Sequence, residues 1–350
     1  MKLADKYIFN RFNPDKSIDI LDSVCAHVQI TRPNKKNCIL ELQKKKDEYL
    51  SSKKYKEALN VELEIKKEQE VSKLAHITYK DIIKIVEYRA NMPVLDTFND
   101  NIINLSKRLK KNIYGQDKAI DEVCEALKEK YLVDNTKPLS ILLSGPTGVG
   151  KTLLAKEIAT HLFGDKQFLR LDMNELSGDG ALNRLLGSPQ GYVGYEDEAL
   201  LSKIKDYPYS VILLDEIEKI SPKIQKLFIE ILENGTIRNN KGETIHFENT
   251  TIIMTTNRES QSSIGFRKES IVQKEFLDKD FKNHILKNII MSKIEKESAK
   301  KYIKRETSTL KLSKKDIDEI IENSKIDIYG LRGVQKELNK YKINKLLTKV

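Results

Sequence analysis

The chain of 350 residues contains no tryptophan, five histidines, three cysteines and only eight prolines. Cys25, Cys38 and Cys124 are far apart and odd in number, which excludes a disulfide framework and fits reduced thiols. Their spacing and the scattered histidines match no metal-binding pattern. No apolar run approaches the ~20 residues that a membrane span requires. The opening Met1-Lys-Leu-Ala-Asp-Lys6 lacks the long apolar segment of a secretory signal, and Asp5 and Asp15 argue against an import peptide.

One third of the residues are charged and the mean hydropathy is −0.50, as in a soluble protein. The formal charge of +10 raises the question of nucleic acid. However, the basic residues are overwhelmingly lysine, and Lys, Asn and Ile are abundant throughout. That points to codon bias in an AT-rich genome, not to a binding stripe. No nucleic-acid-binding module is recognisable, and no nucleic-acid partner is expected.

What is present is concentrated in two stretches. Gly145-Pro146-Thr147-Gly148-Val149-Gly150-Lys151-Thr152 follows the apolar run Leu139 to Leu143 and precedes a helical pattern. A strand that enters a glycine-rich loop and then a helix directs unpaired N–H groups at one point, where an anion can sit. Lys151 can reach terminal phosphates, and Thr152 offers a hydroxyl to Mg²⁺. The second stretch is Val211-Ile-Leu-Leu-Asp-Glu-Ile-Glu-Lys219. Its unbroken apolar run suits a strand buried on both faces, with Asp215 at the carboxyl end near a metal. Glu216 is the residue expected to polarise an attacking water. A third strand, Thr251 to Asn257, ends on an amide that could orient water or the γ-phosphate; a turn-forming asparagine is the alternative. The expected cofactors are therefore ATP and Mg²⁺.

Along the chain, strands alternate with helical patterns from 139 to 257, as in a parallel α/β sheet. Residues 1–30 read as helical. Residues 38–72 read as a short helical hairpin turning at Ser51-Ser52, although periodicity alone equally fits a solvated charged linker. Thr78-x-x-Asp81 opens an amphipathic helix. From about 276 to 350 the pattern reads as helical, broken at Tyr329-Gly330.

These stretches resemble the Clp/Hsp100 branch of AAA+ unfoldases, specifically their second ATPase module. Besides the two nucleotide stretches, Ile113-Tyr-Gly-Gln-Asp-Lys-Ala119, Leu171-Asp-Met-Asn-Glu175 and Gly187-Ser-Pro-Gln-Gly-Tyr-Val-Gly-Tyr195 are close to family wording. The resemblance implies an α/β P-loop NTPase fold followed by a helical lid. Its expected divisions are a first-module tail (1–30), a middle-domain-like hairpin (31–76), the ATPase domain (77–270) and the lid (271–350). It implies that Arg332, in Tyr329-Gly-Leu-Arg332, contacts phosphates from the lid. Tyr192 and Val193 would line a ring pore and grip unfolded polypeptide. Ile264, Gly265 and Phe266 would dock a ClpP-type peptidase. The stretch 38–72 is similar to the middle domain of the ClpC subgroup, and the first module's own nucleotide loop is absent from the sequence.

The resemblance further implies a homo- or hetero-hexamer. It also implies a plastid-encoded protein, perhaps of the apicoplast type, with a bacterial cytoplasm as the alternative. One departure stands out. Where the family places a ring-donated arginine finger, this chain reads Phe281-Lys-Asn-His284. Slow hydrolysis in a homo-ring, or a structural or regulatory role in a mixed ring, is the second expectation.

Overall fold

The computed structural model describes residues 2–8, 12–31, 35–72, 77–90, 94, 96–133, 136–178, 180–192, 194–257, 277–307 and 312–347. Two compact units divide it, Met1–Val94 and Leu95–Val350.

The first unit is all helical. It holds α1 (Lys2–Tyr7), α2 (Asp15–Thr31), α3 (Lys35–Ser51), α4 (Tyr55–Ser72) and α5 (Tyr79–Ala90). Ile20, Val24 and Val28 lie on one stripe of α2 at helical spacing and are buried. That stripe and Val86 of α5 form the small core that α1 completes. Arg89 fastens α5 to α2 by donating to Ser23 Oγ (2.6 Å). Helices α3 and α4 pack on each other as a hairpin turning through Ser52 to Lys54. Lys46 pairs with Glu62 across it (3.0 Å). Of the two readings that periodicity left open, the hairpin is the one adopted. Among its residues of described burial, little is buried beyond Ala58 and Ile65, which is why its sequence looks like a solvated linker.

The second unit contains a five-stranded parallel sheet in the order β2-β3-β6-β1-β7. Its strands are β1 (Leu139–Ser144), β2 (Phe168–Asp172), β3 (Val211–Asp215), β6 (Thr251–Thr256) and β7 (Lys287–Ile290). Every residue of β1, β3 and β6 is buried, as their unbroken apolar runs require of strands covered on both faces. Each fully buried Leu or Ile there contributes about 1.5–3 kcal/mol. The covering helices include α6 (Asp96–Asn112), α7 (Asp117–Leu132), α8 (Lys151–Leu162), α9 (Ala181–Leu186), α10 (Lys203–Asp206) and α11 (Pro222–Asn234). Ser221 caps α11 and Pro222 occupies its first turn; Gly235, at φ 71°, ends it and turns the chain into β4. The antiparallel pair β4 (Thr236–Arg238) and β5 (Thr244–His246) follows.

The tract from 276 to 350 is not wholly helical. After the short α12 (Lys279–Asn283), β7 pairs with β1 in the register Ile141–Lys287 to Ser144–Ile290 and forms a sheet edge. Only four residues long, β7 has too few positions to show a period, and its partner is remote in sequence. The sheet therefore extends past residue 270, and the lid helices begin at α13 (Lys296–Glu306), followed by α14 (Lys314–Asn323) and α15 (Ile326–Leu347). The break expected at Tyr329-Gly330 is real but local. Gly330 has φ 56° and ψ −145°, and helix resumes after it.

Candidate functional site

The carboxyl ends of β1, β3 and β6 face one cavity of about 440 Å³. Open parallel sheets bind ligands at this edge. The glycine-rich loop forms its floor. Gly145, Gly148 and Gly150 have φ of 149°, 76° and 103°, values that side chains on L-residues resist. The loop ends at Lys151, the first residue of α8, so the helix N-terminus opens on the cavity.

Lys151 is 8% exposed. Its ammonium donates to the carbonyls of Gly145 (2.6 Å) and Pro146 (2.8 Å) and to Asn257 Oδ1 (3.0 Å). Burial lowers its pKa to about 8, against the pull of Glu218 and Asp215 and with the push of Arg332. A lysine with a depressed folded pKa costs stability wherever it is protonated in both states, below about 8. Stability therefore rises with pH between about 8 and the ordinary value of 10.5. An anionic phosphate beside Lys151 restores its proton. Nucleotide affinity is accordingly expected to fall as pH rises past about 8, by up to about tenfold per pH unit. A fluorescent-nucleotide titration checks this, with Lys151→Arg flattening the profile because a guanidinium does not titrate there.

Asp215 is 7% exposed and ends β3. One oxygen accepts from Thr255 Oγ1, and both lie 3.4 Å from Thr152 Oγ1. Arg170 of β2 grips the other oxygen through Nε (3.0 Å) and Nη2 (2.7 Å). The register of β2 on β3 sets Asp172 beside Asp215 and so brings Arg170 within reach. Glu216 stands just past the strand in left-handed backbone, φ 56° and ψ 54°. Its N–H donates to Thr255 Oγ1 (3.2 Å), and its carboxylate accepts from the Asn174 side chain. Asn257 is held at both ends. Its N–H donates to Glu218 Oε1 (3.2 Å), and its side-chain oxygen takes the Lys151 bond.

The lid closes the cavity with Leu331, Arg332 and Gln335, while Asn112, Ile113, Tyr114 and Tyr302 wall its far end. Leu331 N–H donates to the Gly148 carbonyl (3.0 Å). A Cβ on Gly148 would stand 2.1 Å from the Tyr329 carbonyl oxygen, and one on Gly330 2.6 Å from that of Gly148. The two glycines thus let loop and lid backbones touch.

The cavity gathers Thr147 to Thr152, Asp215, Glu216, Asn257 and Arg332; Gly145 and Pro146 join it through Lys151. Tyr192 lies outside it, 69% exposed. Val193 and the Ile264-Gly265-Phe266 stretch lie outside the described residues. Sequence reasoning assigned no role to Arg170, Asn174 or Glu218. Glu218 Oε2 is buried with no hydrogen-bond partner among the described residues. Glu218 and Asn174 each had a signal, standing in the stretches Val211–Lys219 and Leu171–Glu175 already singled out, whereas Arg170 had none.

Comparison with known proteins agrees with this geometry. Residues 136–306 match the family described as AAA domain (Cdc48 subfamily), and residues 1–75 match the AAA lid domain. Relatives are the ATP-dependent Clp protease ATP-binding subunits ClpL of Staphylococcus aureus. The strain MRSA252 protein is 38% identical, over 73% of this chain and 39% of its own length. That of strain bovine RF122 / ET3-1 is 37% identical, over 80% of this chain and 43% of its own. The AAA-domain match and these relatives support a place in the Clp/Hsp100 branch of AAA+ ATPases. The chain spans about two fifths of the length of the relatives it matches. Its fold is the α/β AAA+ fold with a helical lid, as the sequence implied. No described helix is long and apolar enough to cross a membrane.

Proposed function

We propose that this chain binds and hydrolyses ATP in the cavity between sheet and lid and uses the energy to unfold polypeptides within a Clp-type ring. The observation that carries the reading is the meeting of Lys151, Asp215, Glu216, Asn257 and Arg332 around one cavity. The loop amides and Lys151 hold the phosphates. Thr152 and Asp215 offer a hydroxyl and a carboxylate side by side, a donor set that fits Mg²⁺, which keeps most of its waters and takes phosphate oxygens. When bound, the ion neutralises phosphate charge. Glu216 takes a proton from the attacking water, Asn257 orients that water, and Arg332 binds phosphate from the lid.

Tyr192 sits on a glycine-flanked segment and is the residue we assign to gripping substrate, in a hexamer serving a ClpP-type peptidase. The relatives, named as ATP-binding subunits of the ATP-dependent Clp protease, support the Clp assignment. The ClpC subgroup rests on the 38–72 hairpin alone, since the relatives carry the name ClpL. The match of residues 1–75 to an AAA lid supports reading residues 1–30 as the tail of a first module, and it runs on through the stretch read as a middle-domain-like hairpin. Bacterial relatives favour the bacterial cytoplasm over the plastid setting.

His284 favours a second reading, a slow or regulatory subunit of a mixed ring. It caps α12 where the family arginine is expected, and its carbonyl accepts from Ser140 Oγ. One experiment separates the readings: ATP turnover and unfolding of a tagged fluorescent protein by wild type, Tyr192→Ala and His284→Arg. The unfoldase reading expects Tyr192→Ala to lose unfolding while keeping turnover. The mixed-ring reading expects slow wild-type turnover that His284→Arg raises by about tenfold or more. Unfolding that survives in Tyr192→Ala contradicts the first.

A further inference from the structure

The β4–β5 hairpin lines no part of the nucleotide cavity, yet its tip is tightly built. Asn239 is 5% exposed. Its side-chain oxygen accepts from the N–H groups of Lys241 (3.1 Å) and Glu243 (2.9 Å), and its amide donates to Glu243 Oε2 (2.7 Å). Glu243 also pairs with Lys205 of α10. Asn240 reaches away from this knot. Its N–H donates to the Leu186 carbonyl (3.0 Å) and its side-chain amide to the Gly187 carbonyl. Lys241 Nζ stands 5.3 Å from the centre of the Tyr195 ring. One short tip therefore touches both ends of the segment that carries Tyr192. Within that segment, Tyr192 N–H donates to the Pro189 carbonyl (3.2 Å) and Tyr195 N–H to that of Tyr192 (3.3 Å), linked turns that leave the Tyr192 ring in solvent.

We propose that this tip is a strut, with Asn240 and Lys241 as positioning residues that stiffen the mount of Tyr192. The inference rests on the translocation reading given above. An aromatic that presses on a polypeptide transmits force only if its base does not yield. Gly187 and Gly191, at φ 89° and 88°, give the segment soft backbone, which the Asn240 bonds and the Lys241 cation restrain. The strut is also continuous with the nucleotide site, because β5 leads through Phe247 to Thr250 into β6, and Asn257 directly follows the last residue of β6, Thr256. The hairpin thus offers a covalent and hydrogen-bonded path from β6 to the segment that carries Tyr192.

Amide hydrogen exchange of the full chain tests the mount directly. Asn240→Ala is expected to speed exchange between Gly187 and Tyr192 by about fivefold, the effect of one lost hydrogen bond on local opening. Lys241→Ala is expected to give about threefold and Lys241→Arg no change, since arginine keeps the cation over the ring. In the same variants ATP turnover should stay within about twofold of wild type, because neither residue lines the cavity. Polypeptide unfolding should fall with the loosened mount. Unchanged exchange in both alanine variants overturns the strut. So does faster exchange with full unfolding, provided Tyr192→Ala abolishes unfolding. If Tyr192→Ala itself unfolds substrate normally, the translocation reading fails and the strut is decided by exchange alone.

Discussion

Glu216→Gln is expected to lower ATP turnover by about 10²- to 10⁴-fold while nucleotide affinity stays within a few-fold. The carboxylate stands at the end of β3 on the cavity wall, in a left-handed conformation that Thr255 supports from below. A carboxylate there can take a proton from water; an amide of the same shape cannot. Binding is spared because, in the proposed site, the loop amides and Lys151 carry the phosphate contacts, and Glu216 acts on Lys151 more weakly than Glu218, Asp215 or Arg332. The neighbouring Asp215 should behave differently. Asp215→Asn leaves Arg170 facing an uncharged oxygen and weakens the Thr152–Asp215 pair. It is expected to raise the Mg²⁺ requirement as well as slow turnover. Steady-state turnover with a parallel fluorescent-nucleotide titration checks both variants.

Gly148→Ala should have the next largest effect, and for a reason a phosphate motif does not reveal. At φ 76° a side chain is strained by about 1–2 kcal/mol. The added Cβ also meets the Tyr329 carbonyl oxygen at 2.1 Å, and backbone cannot swing aside as a flexible side chain can. Relieving such an overlap costs about 1–3 kcal/mol more. The cheapest escape is for α15 to lift, which breaks the Leu331–Gly148 hydrogen bond and carries Arg332 off the cavity. Loss of nucleotide affinity together with earlier unfolding in urea is the expected result. A variant that binds nucleotide and melts like wild type would show that loop and lid do not touch here.

The parts of this protein that could be read from sequence are those whose physics is local. The apolar runs of β1, β3 and β6 declare strands buried on both faces, and the glycine-rich loop declares an anion cradle before any coordinates. Two kinds of feature stayed hidden. Short strands such as β7 and the β4–β5 pair gain their order from partners remote in sequence, and too few residues alternate to show a period. Second, charges acquire partners only through register and loop geometry. Arg170 is an ordinary arginine in an alternating strand until β2 lies beside β3 and aims it at Asp215. Asn174 and Glu218 likewise matter only once the loops bring them to Glu216 and Asn257. The family resemblance supplied Arg332, and the structure adds the reason it can reach the cavity, a glycine on each side of the loop–lid contact.

The central claim is that Lys151 and the loop amides hold a triphosphate against Asp215 and Glu216. A crystal structure with Mg²⁺ and a non-hydrolysable ATP analogue tests it most directly. The expected result is a triphosphate wrapped by Thr147 to Thr152, with Lys151 turned from the Gly145 and Pro146 carbonyls onto phosphate oxygens. A fully formed crystal lattice with saturating analogue, Lys151 still on those two carbonyls and no nucleotide between sheet and lid would contradict it.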